Sequence, residues 1–169
     1  MRHKIYVKND APDKTPRVSA MLIKRIVKTA LAYEGVGVSC EVSVLITGDF
    51  GIRSINNAFR NIDAPTDVLS FPMYSFTPGA FDPDDGEPDL SSGRLPLGDI
   101  ILSAEHIMRQ AENPVRTPER ETAALVVHSV LHLLGYDHAE DDEDPNTVMR
   151  LREREILKLC DLGEPEIPA

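Results

Sequence analysis

Three histidines stand close together in the second half of the chain, at positions 128, 132 and 138, with a glycine at position 135. Positions four apart on a helix lie on the same face, so His128 and His132 can bind one metal ion together. Gly135 can adopt the left-handed conformation that ends many helices, which allows His138 to fold back onto the same ion. Three neutral imidazoles leave a tetrahedral zinc ion one open position, where the pKa of a bound water falls to about 7. The spacing therefore predicts one catalytic zinc ion; the alternative is three buried histidines in a packed helix and loop.

The same residues match the long pattern of zinc peptidases, His-Glu-x-x-His-x-x-Gly-x-x-His, except that Ser129 replaces the glutamate. That glutamate is the general base of the peptidases, and a serine hydroxyl cannot replace a carboxylate near neutral pH. Glu121 lies two helical turns earlier and is poorly placed to act instead. The pattern thus predicts the metal helix of a zinc peptidase without the usual base.

The helix that carries this motif has clear limits. Thr117 can cap its N-terminus with Pro118 in the first helical position, and Gly135 can end it. A stripe of apolar residues recurs at helical spacing, and it consists of Ala123, Val127, Val130, Leu131 and Leu134. Because His128 and His132 fall on a different face, we expect the apolar face to pack in the core and the histidine face to open onto a cleft.

Length and composition predict a single domain in a reducing compartment. The chain has 169 residues, enough for a single core without disulfides, and its two cysteines show no paired spacing. It has no secretory signal pattern and no apolar run long enough to cross a bilayer. We therefore expect a cytoplasmic protein. A net charge of −10 excludes broad nonspecific attraction to nucleic acid, although a local basic cleft stays possible.

The pattern of elements predicts four strands and five helices in one domain of residues 1–169. Strands are predicted at 4–8, 42–47, 67–71 and 99–102, and helices at 16–33, 49–60, 103–112, from Thr117 to Gly135, and from an Asp144 cap with Pro145 to about Leu162. Residues 76–95 are predicted to form a mobile acidic insertion, with five carboxylates between Asp82 and Asp89. A solvated loop is favoured over a lid; if it packed beside the cleft, it would repel phosphates.

Three blocks of the sequence resemble the YbeY family of bacterial endoribonucleases, also called rRNA maturation factors. The run from His128 to His138 is similar to the signature of that family, and residues 59–72 and 97–100 resemble its second and third blocks. The blocks occur in the same order, and the likeness covers nearly the whole chain.

The resemblance implies a compact α+β domain in which a small mixed sheet packs with about five helices. It implies one zinc ion on His128, His132 and His138, and metal-dependent cleavage of single-stranded RNA. It also implies a role in maturing the 3′ end of 16S rRNA and in ribosome quality control, with the small ribosomal subunit and assembly factors as partners. Arg60 matches the arginine that the family uses in catalysis. Where the family commonly has glycine this chain has Ser129, which is expected to crowd the helix beside the metal.

Several alternatives stay open on the residues alone. A guanidinium at position 60 can stabilise charge on a phosphate, but Arg60 can also be a cation at a helix C-terminus. Asp137 can orient a metal ligand or form a turn. RNA can be cut by an activated water or by its own 2′-hydroxyl. A zinc peptidase-like hydrolase and a noncatalytic assembly factor stabilised by zinc are the alternatives to a nuclease.

Overall fold

The structure is a computed structural model that describes residues 2–111, 115–137 and 147–162. Its strands and helices are β1 (Lys4–Asn9), α1 (Ala20–Tyr33), β2 (Cys40–Thr47), α2 (Asp49–Arg60), β3 (Val68–Pro72), β4 (Leu95–Ser103), α3 (Ala104–Gln110), α4 (Pro118–Leu133) and α5 (Val148–Leu159). The predicted order of strands and helices is confirmed. So is the predicted class, an α+β fold with a small mixed sheet and five helices.

The sheet has the strand order β1-β2-β4-β3. β1, β2 and β4 run parallel, and β3 is an edge strand that pairs antiparallel with β4. Successive side chains of a strand point to opposite faces, so each strand contributes alternate residues to one face. Val42, Val44 and Ile46 of β2 face the main core, whereas Ser43 between them is exposed on the other face.

Helix α4 lies at the centre of the main core and contacts α1, α3, α5 and strands β3 and β4. The five residues of its predicted apolar stripe are all buried. On the opposite face of the sheet, α2 covers the side of β3 and β4, where Ile52, Leu69 and Ile101 form a second, smaller cluster. The sheet therefore separates a thick helical layer from a face that α2 covers only in part.

Residues with hydroxyl side chains cap two helices, and one of these helices begins later than predicted. The hydroxyl of Ser19 accepts a hydrogen bond from the backbone N–H of Leu22, so α1 begins at Ala20 and not at position 16. Thr147 caps α5 in the same way, and α5 begins at Val148; the start predicted at Asp144 and Pro145 lies outside the described residues. The end predicted at about Leu162 was also too late, since α5 ends at Leu159.

The segment between β3 and β4 has structure that the sequence did not predict. Phe76 is buried and stacks on Phe81 with ring centroids 4.9 Å apart, and the Tyr74 hydroxyl donates to the Glu87 carbonyl over 3.0 Å. The carboxylate of Asp89 accepts hydrogen bonds from a tight turn that follows it. Strand β4 begins at Leu95 and not at position 99. The segment is thus a packed loop and shorter than expected.

The sequence also led to expectations about disulfides and membrane-spanning segments. Cys40 and Cys160 are both buried and form no disulfide. Within residues 2–111, 115–137 and 147–162, no helix is long and apolar enough to cross a membrane.

The close approach of β3 to β4 generates a prediction at Gly98. This residue has φ +139°, and a Cβ there would overlap the carbonyl oxygen of Phe71 on β3. Gly93 also has a positive φ, +66°, but a Cβ there meets open space. We expect Gly98→Ala to lower the free energy of unfolding by about 3 kcal/mol or more, and Gly93→Ala by only about 1 kcal/mol. Urea denaturation of both variants measures the difference, and equal losses would contradict a backbone clash at Gly98.

Candidate metal centre

A cleft of about 770 Å³ opens beside the histidine face of α4, between the inner side of β3 and helix α5. Its charged and histidine lining comprises Arg60, Asp67, His128, His132, Asp137, Arg150 and Glu153. The predicted division of α4 into a core face and a cleft face is therefore confirmed for the two histidines that the helix carries.

The rings of His128 and His132 converge on one point. Their Nε2 atoms are 3.0 Å apart, while His128 Nδ1 lies 2.7 Å from Glu153 Oε1 and His132 Nδ1 lies 2.7 Å from the Tyr136 carbonyl oxygen. An Nδ1–H that donates to such an acceptor fixes the tautomer in which Nε2 carries the lone pair. Two ligands of a tetrahedral zinc ion, each about 2.0–2.1 Å from it, lie about 3.3 Å apart. The pair therefore fits a shared metal ion.

Glu153 of α5 holds the ring of His128, and the spacing of the histidines did not predict this residue. Its side chain is only 12% exposed, and Arg150 Nη1 lies 3.4 Å from its second oxygen. A signal was present in the sequence, because Glu153 falls between Met149 and Ile156 at the spacing of buried helical positions. A carboxylate at a core-facing position of a helix usually has a specific partner.

Tyr136 holds the second ring through its backbone and is itself anchored by its side chain. The phenol donates a 2.8 Å hydrogen bond to Glu34 Oε2 at the end of α1, and Arg152 Nη1 lies 3.7 Å from the other oxygen. Burial, followed by the Glu34 contact, raises the pKa of Tyr136 to about 12, so the phenol stays a donor at neutral pH. The carbonyl that orients His132 is thus held by a contact to a distant helix.

Gly135 ends helix α4 as predicted. Its φ is +94°, and its N–H and that of Tyr136 donate to the carbonyls of His132 and Leu131, each over 3.0 Å. A Cβ at Gly135 would overlap the carbonyl oxygen of Phe76, so the loop after β3 packs directly on this turn.

The third predicted ligand, His138, lies outside the described residues. Among the residues that the structure describes, no group of three or more His, Cys, Asp or Glu side chains is arranged to hold a metal ion. The structure thus brings together two of the three predicted ligands, and the three-histidine site stays a prediction.

Arg60 is the last residue of α2 and lines the same cleft as the histidine pair. It is exposed, and no described residue forms a hydrogen bond or an ion pair with its guanidinium. Asn61 follows in the left-handed conformation and ends the helix, with φ 57°. Its position suits both alternatives left open by the sequence, a helix-terminal cation and a ligand for phosphate.

Two expectations about the surroundings of the cleft concern Ser129 and the acidic loop. Ser129 is fully buried and does not line the cleft, and the expected crowding of the helix stays a prediction. The five carboxylates between Asp82 and Asp89 do not line it either; the loop contributes only Tyr74, Ser75 and Phe76. Direct repulsion of a phosphate in the cleft by those carboxylates is therefore not supported by their position.

A pair of histidines one helical turn apart, with both Nδ1 atoms bound to acceptors, is the arrangement typical of metal ligands. The fold and the cleft thus define a small α+β protein with a candidate metal-ligand pair. The sequence profile of the family described as Endoribonuclease YbeY matches residues 6–161. The chain belongs to the YbeY family.

Individual relatives agree with this assignment. The chain is 43% identical over 146 residues to the Endoribonuclease YbeY of Clostridium botulinum strain Eklund 17B, and 46% identical over 146 residues to that of strain Hall. In both cases the match covers 83% of this chain and 87% of the relative. The solution structure of TM1509 from Thermotoga maritima has the same fold, with a TM-score of 0.58, 22% identity, and coverage of 92% of this chain and 88% of that chain.

The burial of Ser129 generates a prediction about stability. Its hydroxyl oxygen is buried, and no described residue forms a hydrogen bond with it. Ser129→Ala removes an unsatisfied polar group from a helix interior, so we expect it to raise the free energy of unfolding by about 1 kcal/mol. The free energy of unfolding of Ser129→Gly should be about 1 kcal/mol lower than that of Ser129→Ala, because glycine is a poor helix former. Urea denaturation checks both, and a destabilised alanine variant would show that the hydroxyl has a partner.

Proposed function

We propose that this protein is a zinc-dependent endoribonuclease that cleaves single-stranded RNA. The observation that carries the proposal is the convergence of His128 and His132 in a cleft that Arg60 also lines, with their Nε2 atoms 3.0 Å apart. Membership of a family whose relatives are named endoribonucleases supports RNA as the substrate. An activated nucleophile and a cation near the phosphoryl oxygens are the two requirements of phosphodiester cleavage.

The proposed ligands of a single Zn²⁺ are His128, His132 and His138. A zinc ion held by these residues would supply a Lewis acid and activate a water molecule for attack. The protein contributes the orientation of the rings: Glu153 fixes the first and the Tyr136 carbonyl fixes the second. Because these acceptors come from α5 and from the turn after α4, the ligands are oriented before any ion binds.

Arg60 is the proposed ligand of the scissile phosphate. A guanidinium presents a planar fork of N–H donors, which matches two oxygens of one phosphate. Because no described side chain occupies this fork, it can bind the substrate without breaking an ion pair. Attack by water and attack by the 2′-hydroxyl of the RNA both place negative charge on these oxygens, so Arg60 serves either route.

The wider biological role belongs to the same proposal. By family resemblance, the enzyme matures the 3′ end of 16S rRNA and acts in ribosome quality control in the cytoplasm, with the small ribosomal subunit and assembly factors as partners. A peptidase alternative has Ser129 at the position of the usual base, and two glutamates are not placed to replace that base. Glu121 does not line the cleft and lies 3.8 Å from Arg116, and Glu153 is bound to His128.

One experiment separates the three function classes. A fluorogenic single-stranded RNA and casein are each incubated with the protein, with and without a chelator that removes zinc. We expect cleavage of RNA that the chelator abolishes and added zinc restores, with no digestion of casein. Digestion of casein would establish a peptidase, and intact substrates together with bound zinc would establish a noncatalytic zinc protein.

The ligand assignment predicts the zinc content of histidine variants. His128→Ala, His132→Ala and His138→Ala should each lose most of the bound zinc, and zinc should no longer raise their melting temperature. Glu153→Gln should retain the ligands and bind zinc about tenfold more weakly, because the ring it orients becomes freer. His106→Ala is the matched control, since His106 does not line the cleft. Full zinc occupancy in His138→Ala, measured by elemental analysis, would remove His138 from the ligand set.

The proposed role of Arg60 predicts a kinetic effect without a structural one. Arg60→Lys keeps the charge and loses the fork, so we expect kcat/KM on RNA to fall about a hundredfold while zinc content and stability persist. Arg53→Lys on the same helix is the matched control, because Arg53 binds Asp63 over 2.8 Å and does not line the cleft. Unchanged turnover in Arg60→Ala would rule out the phosphate role.

A further inference from the structure

A second groove, of about 1040 Å³, lies on the face of the sheet opposite the main core and extends around the edge of β1. The strand pairing aligns one row of side chains across all four strands: Tyr6 pairs with Ser43, Ser43 with Asp99, and Asp99 with Phe71. All four residues line this groove. Because helix α2 covers this face only near β3 and β4, the β1 end of the row is open.

Aromatic rings stand at both ends of this row. Tyr6 is 48% exposed on β1, and Phe59 is 71% exposed at the end of α2. Phe59 and Phe71 form a pair with ring centroids 5.3 Å apart, and Lys4 Nζ lies 5.4 Å from the centroid of the Tyr6 ring. Exposed rings next to cations are the features on which unpaired bases stack.

The charge of this groove is opposite to that of the protein as a whole. The chain carries a net charge of −10, yet the groove is lined by four lysines and only two carboxylates: Lys4, Lys8, Lys24, Lys28, Asp10 and Asp99. Lys8 is paired with Asp10 over 2.9 Å. Lys24 and Lys28 lie one turn apart on an exposed face of α1, which gives the groove a basic side wall.

The two grooves meet at the edge of the sheet. Phe59 lines the sheet groove, and its neighbour Arg60 lines the metal cleft. In the same way Ser70 faces the cleft and Phe71 faces the sheet groove, because successive residues of β3 point to opposite faces. Since β3 is an edge strand, an extended polymer can pass around it from one groove to the other.

We propose that the sheet groove binds a stretch of the single-stranded RNA that flanks the segment in the metal cleft. The inference rests on the proposed function for the identity of the polymer. Tyr6 and Phe59 stack on unpaired bases, and Lys24 and Lys28 bind phosphates. Asp99, exposed at the centre of the row, accepts hydrogen bonds from base amino groups. This acceptor favours a strand with free base edges over a duplex, whose phosphates it would repel.

The test measures binding of two unstructured RNAs, a short one that can occupy only the metal cleft and a longer one that can reach both grooves. The charge-reversed variant Lys24→Glu/Lys28→Glu should bind the longer RNA at least about tenfold more weakly. It should also have a salt dependence shallower by about 1.4 in the log–log slope, the value for two lost phosphate contacts. Tyr6→Leu should weaken binding of the longer RNA by about tenfold while keeping an apolar side chain on the sheet. Binding and cleavage of the short RNA should stay at the native level in both variants.

The matched control is Lys14→Glu/Arg17→Glu, which changes the net charge by the same amount at exposed residues that line neither groove. Native-like affinity of the two groove variants for the longer RNA overturns the inference and leaves the nuclease intact. An equal loss of affinity in the control also overturns it, because the effect is then one of net charge. A native protein that cleaves neither RNA, but whose groove variants lose affinity for the longer one, refutes the nuclease and supports the groove.

Discussion

The hydrogen bonds at the two Nδ1 atoms determine what the rest of the cleft can do. Without them the rings of His128 and His132 rotate about their side-chain bonds and their Nε2 atoms do not stay directed at one point. Each bond joins α4 to another part of the chain: one to α5 through Glu153, and one to the turn formed by Tyr136. Packing of the whole helical layer is thus linked to the geometry of two nitrogen atoms.

The hydrogen bond at His132 Nδ1 is connected through Tyr136 to the end of helix α1. The Tyr136 carbonyl orients His132, and the Tyr136 hydroxyl binds Glu34, whose side chain is 3% exposed at the end of α1. A carboxylate this well buried is costly unless it is hydrogen-bonded or paired with a charge, and here Tyr136 and Arg152 supply both contacts. The Tyr136 hydroxyl satisfies Oε2 of Glu34, whereas Oε1 lies 3.7 Å from Arg152 and accepts no hydrogen bond from a described residue. Tyr136 thus links a buried carboxylate to the backbone carbonyl that orients His132.

Local patterns predicted the parts of the fold that depend on local physics. The apolar spacing of α4, the cap at Thr117 and the positive φ of Gly135 all follow from short-range rules, and the structure has each of them. The contact of His128 with Glu153 spans 25 residues, so spacing within the motif could not identify it. The content of Pro, Gly and Asp predicted a loop without structure after β3. It could not predict that Phe76 is buried against Gly135, because this is a tertiary contact.

The position of Glu153 on the last described helix has a consequence for synthesis of the protein. The ribosome makes α4 before α5, and domains fold as units during and after synthesis from the N-terminal side. His128 emerges from the ribosome before Glu153, which follows it by 25 residues, so the carboxylate cannot yet contact the ring when the histidine emerges. The histidine pair therefore reaches its final geometry only after α5 has emerged and docked. A nascent or truncated chain that lacks this helix has both histidines on α4 but no fixed direction for the ring of His128.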